Sequence, residues 1–158
     1  MPILTPIKKD LTLEQADAIA DGCLRVAHEN DILPLTVAVL DAGGHLVVLK
    51  REDGSGIVRV QVATGKAYGA LGMGASSRVF GERLASKQVF STAVTVASGG
   101  NFISVPGGVL ILDEDGSAIG AVGISGDSSE RDEFAAIGGV KAAGFASEPA
   151  EPLSDWND

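Results

Sequence analysis

Cysteine is almost missing from this chain. The single Cys23 excludes an intrachain disulfide, so a reducing compartment is the simplest reading and a cytoplasmic location is expected. Histidine is scarce too. His28 and His45 are the only two, and with one cysteine they give no zinc-type ligand spacing, so no metal site is expected. Basic residues number 12 against 21 acidic ones, a net charge of −9. That balance excludes the basic footprint of a nucleic-acid binder and argues against anionic membranes. No apolar run approaches ~18 residues, and the opening MPILTPIKKDLT lacks the apolar core of a leader peptide. Neither a membrane span nor a secretory signal is expected. Aromatics make up 4%, so the core must be built from Val, Ile, Leu and Ala.

Apolar residues and glycine are plentiful. The hydrophobic fraction is 45% and mean hydropathy is +0.24, which excludes disorder, and 158 residues suit one domain. The 21 glycines cluster in pairs, as at 43–44, 99–100, 107–108 and 138–139, which mark tight turns and close backbone approaches. The chain divides into an N-terminal arm over residues 1–11, a domain over 12–145, and an acidic, proline-containing tail over 146–158. The tail reads as a mobile extension or an arm onto a neighbour, with Trp156 a docking residue.

Periodicity places the elements. Thr12 and Gln15 form a capping-box pattern, and Leu13, Ala16, Ala20, Cys23 and Ala27 then share a helical face as far as Asn30 or Asp31. Residues 35–41 and 46–50 form a hairpin about Ala42-Gly43-Gly44-His45. Residues 55–73 are helix-periodic, with Ile57, Val60, Thr64, Ala67 and Leu71 on one face and Val58 and Val62 on another. Two apolar sides suggest packing on a second subunit. Ser76 caps a short helix to about Leu84, and the β-branched run over 87–97 fits a strand or a buried helix. A second hairpin spans 109–113 and 118–124, and a last helix covers 130–144. This order makes one antiparallel sheet with helices against it, an α+β fold.

Each chemistry-bearing residue has a functional and a structural reading. Cys23 reads as a small core residue. His28 lies beside the core face of the first helix, where a neutral imidazole can ligate iron or simply sit at a surface or interface. His45 reads as an exposed turn residue. Arg51 ends a strand, where it can clamp a carboxylate or pair with Glu52, Asp53 or Glu130. Pro106-Gly107-Gly108 either brings a ligand close to backbone N–H groups or makes a bend. The loop from Gly123 to Glu130 leads into a helix start, but its acidic residues favour capping over anion binding.

Taken together the motifs resemble the GlcG/HbpS family of haem-degrading-type domains. Leu40-Asp41-Ala42-Gly43-Gly44-His45-Leu46-Val47 is similar to that family's first hairpin. Arg51-Glu52-Asp53-Gly54 resembles its Arg-Met-Asp-Gly, with Glu52 in place of an apolar residue. Pro106-Gly107-Gly108-Val109 and Gly123-Ile124-Ser125-Gly126, the latter followed by Glu130-x-Asp132-Glu133, are similar to later motifs. The resemblance covers roughly residues 12–145 and extends to the related domain of PduO-type corrinoid adenosyltransferases. It implies a profilin-like domain with a five-stranded antiparallel sheet between helices, homo-oligomers, and a helix over 87–97. It also implies haem as a cofactor, with His28, matched by region, as the iron candidate.

Three functions remain open at this point. One is an oligomeric binding domain for haem, another tetrapyrrole or a small organic ligand, in an accessory or catabolic role. The second is a small catabolic enzyme moving a proton on an organic acid or carbonyl compound, with Arg51 holding the carboxylate. The third is an accessory subunit without ligand. Arg51, Pro106, Gly107, Gly108 and Ser125 are expected to line the ligand cleft, because strand ends at one sheet edge come together.

Overall fold

The computed structural model describes residues 10–158, so most of the arm expected over 1–11 lies outside the described residues. The elements run α1 (Leu13–Glu29), β1 (Thr36–Asp41), β2 (Leu46–Arg51), α2 (Arg59–Met73), α3 (Ser77–Leu84), α4 (Gln88–Ala97), β3 (Gly108–Leu112), β4 (Ala118–Ser125), α5 (Ser129–Ala142) and β5 (Ala146–Glu148). The strands form one antiparallel sheet in the order β2-β1-β4-β3-β5. Successive strand residues face opposite ways. Val37, Val39, Val109, Ile111, Val122 and Ile124 therefore meet the buried residues of α1 and α5. Leu40, Leu110 and Ala121 meet α2 and α3 on the other face. This is the α+β, profilin-like arrangement that the resemblance implies. Among the described residues no helix is long and apolar enough to cross a membrane.

The helix starts follow local chemistry. The Thr12 hydroxyl accepts from the Gln15 amide at 3.1 Å and the Gln15 side chain accepts from the Thr12 amide at 2.9 Å, which completes the capping box of α1. Ile19 joins the buried face of this helix, while Leu13 is exposed. Cys23 is buried against α5, and burial pushes its thiol up to about 12, so it is an inert core residue.

α2 departs from expectation. It begins at Arg59, and its buried face is Ala63, Lys66, Ala67 and Ala70, not the line through Ile57 and Leu71. Ile57 and Val58 precede it and are largely exposed. The reason lies in the sheet beneath. A Cβ on Gly108 would come within 2.2 Å of the Lys66 carbonyl oxygen, and one on Gly123 within 1.9 Å of that of Ala63. The helix backbone rests directly on the sheet at these two glycines, and the apolar residues of its contact face are the small Ala63, Ala67 and Ala70.

The tail also departs from expectation. Ala146–Glu148 pairs with β3 and supplies the fifth strand. Beyond it Trp156 stacks on Phe134 of α5 with ring centroids 3.6 Å apart. A three-residue strand carries too little periodicity to be read in advance, and the prolines around it conceal it further. The run over 88–97 is helical as implied, yet none of its residues is buried, and Val89 and Val96 are 88% and 75% exposed.

Candidate functional site

The end of α1 and the end of β2 frame a cleft of about 560 Å³ lined by His28, Ile32, Pro34, Arg51, Glu52 and Asp53. α1 stops because the Asn30 side chain donates back to the Val26 carbonyl at 2.8 Å and Pro34 follows shortly after. That stop leaves His28 in the last turn, with its side chain 64% exposed. β2 ends at Arg51, and the chain turns away as the Ser55 amide donates to the Glu52 carbonyl at 3.0 Å. Arg51 is exposed and forms no ion pair among the described residues; neither Glu52, Asp53 nor Glu130 neutralises it.

Glu52 has other partners. One carboxylate oxygen accepts from the Leu35 amide at 2.7 Å, and the other makes a short contact with His28 Nε2. Nothing in the sequence flagged this pair, because its members lie 24 residues apart on different elements.

The other expected cleft residues sit elsewhere. Across the sheet, Thr36 of β1 faces both Arg51 and Ser125, so Ser125 is two strands, roughly 10 Å, from Arg51. Ser125 is buried and its hydroxyl accepts from Arg59 Nη1 at 3.1 Å. Arg59 was not anticipated. A cation in the first turn of a helix opposes the macrodipole, and that misfit is the signal that would have picked it out. Gly107 and Gly108 lie one strand further on and are buried, with Pro106 only half-buried. Gly107 has φ +124, and a Cβ there would meet Lys66 Nζ at 2.8 Å. The glycine pair admits α2 and its lysine. His45 is exposed in its turn, beside Asp41.

A family model described as "Haem degrading protein HbpS-like" matches residues 11–141. The chain belongs to the HbpS-like family. Among solved structures, PduOC in complex with haem has 22% identity and a TM-score of 0.77 and covers 87% of this chain and 98% of its own. A double mutant of Streptomyces reticuli HbpS has 27% identity and a TM-score of 0.73, covering 89% and 91%. Klebsiella pneumoniae protein ORFY has 20% identity and a TM-score of 0.76, covering 90% and 97%. Below a quarter identity, PduOC and ORFY carry the fold alone. A search of curated proteins returned no match. Among the described residues of this HbpS-like chain, no cluster of three or more His, Cys, Asp or Glu has the arrangement of a metal site.

A second polar group is buried under α2 and α5, away from the cleft. Lys66 Nζ donates to the Ile124 carbonyl at 2.8 Å and to Asp132 at 3.1 Å, with both side chains nearly inaccessible. Burial pulls the ammonium below its ordinary value and pushes the Asp132 carboxyl above its own, while each charge pulls the other back toward its ionised form. Lys66 falls at helical spacing among Ala63, Ala67 and Ala70 on the buried face of α2, a placement that the sequence periodicity did not show.

Beside this pair Glu133 is fully buried and accepts from Arg78 Nε at 3.1 Å. Burial pushes its carboxyl from the ordinary 4.5 up to about 7, against the pull of Arg78. The folded protein therefore keeps a proton that the unfolded chain releases across that interval. Stability contributed by this group is full below pH 4.5 and lost as pH rises through about 7, to a total of about 3 kcal/mol. Melting temperatures measured from pH 5 to 8 are expected to fall for the wild type and to fall clearly less for Glu133→Gln. Equal slopes would show that Glu133 ionises normally.

Proposed function

We propose that the His28–Arg51 cleft binds haem or another tetrapyrrole, with His28 as the iron ligand and Arg51 meeting a propionate. The observation that carries this reading is the pairing of an exposed imidazole with a guanidinium that has no acid partner among the described residues, both on the wall of one cleft. The volume of about 560 Å³ lies within the ~300–1,000 Å³ range of small-molecule sites. The chain's residues fit the edge of the group: an imidazole for iron and a fixed cation for a carboxylate. Glu52 is already engaged by His28 and Leu35, so its charge is not loose in the cleft. Haem, where bound, supplies redox or gas-binding chemistry; the protein's part is to hold and orient it. The haem-bound PduOC structure and the name of the family model support the reading.

The cleft walls cover one side of a flat ligand. Leu33, next to Pro34, and Ile57 and Val58, a few residues beyond Asp53, are exposed apolar side chains, and α4 buries none of its own. This reading therefore includes a homo-oligomer in which a second copy covers apolar surface. Light scattering at micromolar concentration is expected to show at least a dimer; a monomeric mass would contradict that part. Haemin titration of the wild type is expected to give a saturable shift of the Soret band. A spectrum that only tracks free haemin would remove haem as the partner.

One observation favours a second reading. A carboxylate–imidazole pair beside a free arginine is also the arrangement of a general base next to a carboxylate clamp. On that reading the protein is a small catabolic enzyme that moves a proton on an organic acid. Saturable binding of small carboxylates, lost in Arg51→Ala while haemin shows no saturable shift, would select it.

A further inference from the structure

We propose that Arg59 and Ser55 bind the carboxylate of a small organic acid, at a site on the α2 face of the sheet that is separate from the His28–Arg51 cleft and independent of the haem reading.

The floor of the site follows from strand register. Thr36 of β1 and Ser125 of β4 are direct cross-strand partners. Their neighbours Val37 and Ile124 belong to the core under α1 and α5, so Thr36 and Ser125 face α2. Directly opposed side chains stand about 5 Å apart. Both residues are fully buried, and each holds one residue of the layer above. The Thr36 and Ser55 hydroxyls are 2.8 Å apart, and Arg59 Nη1 donates to Ser125 Oγ at 3.1 Å. Ser55 and Arg59 are only half-buried. These two therefore meet solvent side by side, while Thr36 and Ser125 position them from below.

The groups gathered here are donors in need of an acceptor. A guanidinium carries five N–H groups and accepts nothing. Ser125 Oγ is the hydrogen-bond partner of Arg59 among the described residues, and no carboxylate there forms an ion pair with it. Only one proton lies between the Thr36 and Ser55 oxygens, so the other hydroxyl of that pair has its own proton to give. Ser125 accepts from Arg59 and likewise keeps a proton to donate. A carboxylate, which only accepts, answers all of these donors.

The charges around Arg59 select a monoanion. Arg59 opens α2, where the helix dipole disfavours a cation, and no acid stands in that first turn. Lys66 lies within its electrostatic reach but is matched by Asp132. Glu130, which also acts on Lys66, makes no ion pair with Arg59. One guanidinium charge is left to answer, which a carboxylate matches and a phosphate dianion exceeds. With Nη1 on Ser125, the remaining N–H groups of the planar fork suit a carboxylate as well.

The test titrates acetate into the full chain in a chloride-free buffer without haemin. The Arg59 Nε–H signal and the Ser55 amide signal are expected to shift and saturate together. Arg59→Gln should weaken acetate binding by about 10-fold or more, and Ser55→Ala by about 2–10-fold. Arg59→Lys keeps the charge without the fork and should fall between wild type and Arg59→Gln. Arg51→Ala should bind acetate like the wild type, which separates this site from a carboxylate clamp in the cleft. Melting curves check that each variant folds. Wild-type Arg59 and Ser55 signals that stay still, or drift without saturating, would overturn the proposal with no variant needed. Binding kept in Arg59→Gln and lost in Arg51→Ala would overturn it too. Inorganic phosphate that binds more tightly than acetate at these signals would overturn the carboxylate assignment.

Discussion

Gly123→Ala is expected to destabilise the domain by at least ~3 kcal/mol, at the upper end of what overpacking costs. Gly123 lies in β4, the strand between β1 and β3 at the middle of the sheet. A Cβ there would stand 1.9 Å from the Ala63 carbonyl oxygen and 2.9 Å from both the Ala63 carbonyl carbon and the Ala67 amide nitrogen. All three are backbone atoms of α2, so no side chain can swing aside, and the whole helix must lift from the sheet. Lifting it also pulls Lys66 from the Ile124 carbonyl and from Asp132, a buried ion pair that is costly to break from one side. Gly72→Ala is the matched control. It lies in the last turn of α2 with nothing within 4 Å of the added carbon, and replacing a glycine there should stabilise by up to roughly 0.5 kcal/mol. Urea midpoints of the two variants should move in opposite directions. A Gly123→Ala midpoint close to wild type would mean that α2 does not rest on the sheet backbone.

The second large effect concerns the ligand. His28→Ala is expected to weaken haemin binding by at least ~100-fold, since losing the ligand itself should cost no less than losing its outer partner. Stability should hardly change, because the His28 side chain is mostly exposed and its hydrogen-bond partner among the described residues is Glu52. His45→Ala should titrate like the wild type, as that ring is exposed in a turn beside Asp41 and away from the cleft. Identical Soret titrations for His28→Ala and wild type would exclude His28 as the ligand.

What was legible in the sequence was local. The capping box at Thr12, the two hairpins and the Ser76 cap are decided within a few residues of themselves, and each appears where its pattern placed it. The faces of α2 were not legible, because the choice between Ile57 and Ala63 as the buried side depends on glycines 45 and 60 residues away in the sheet. The fifth strand was hidden because three residues of backbone pairing leave no hydrophobic alternation to read. At the candidate site, Arg51 and His28 stand out as candidates by their places at a strand end and a helix end, and the fold brings both to one cleft. The Gly107–Gly108 pair fits either a ligand's close approach or a bend on its sequence, and in the fold Lys66 and its helix lie against it. Glu52 looked like a polar intrusion into an apolar pocket, and only the juxtaposition of α1 with β2 shows it holding the imidazole.

The most direct measurement is the structure of the protein with haemin bound. The iron is expected on the His28 imidazole, with a propionate against the Arg51 guanidinium. Haem seated against α4 or elsewhere, with the His28–Glu52 contact undisturbed and no iron on the ring, would contradict the assignment of the cleft.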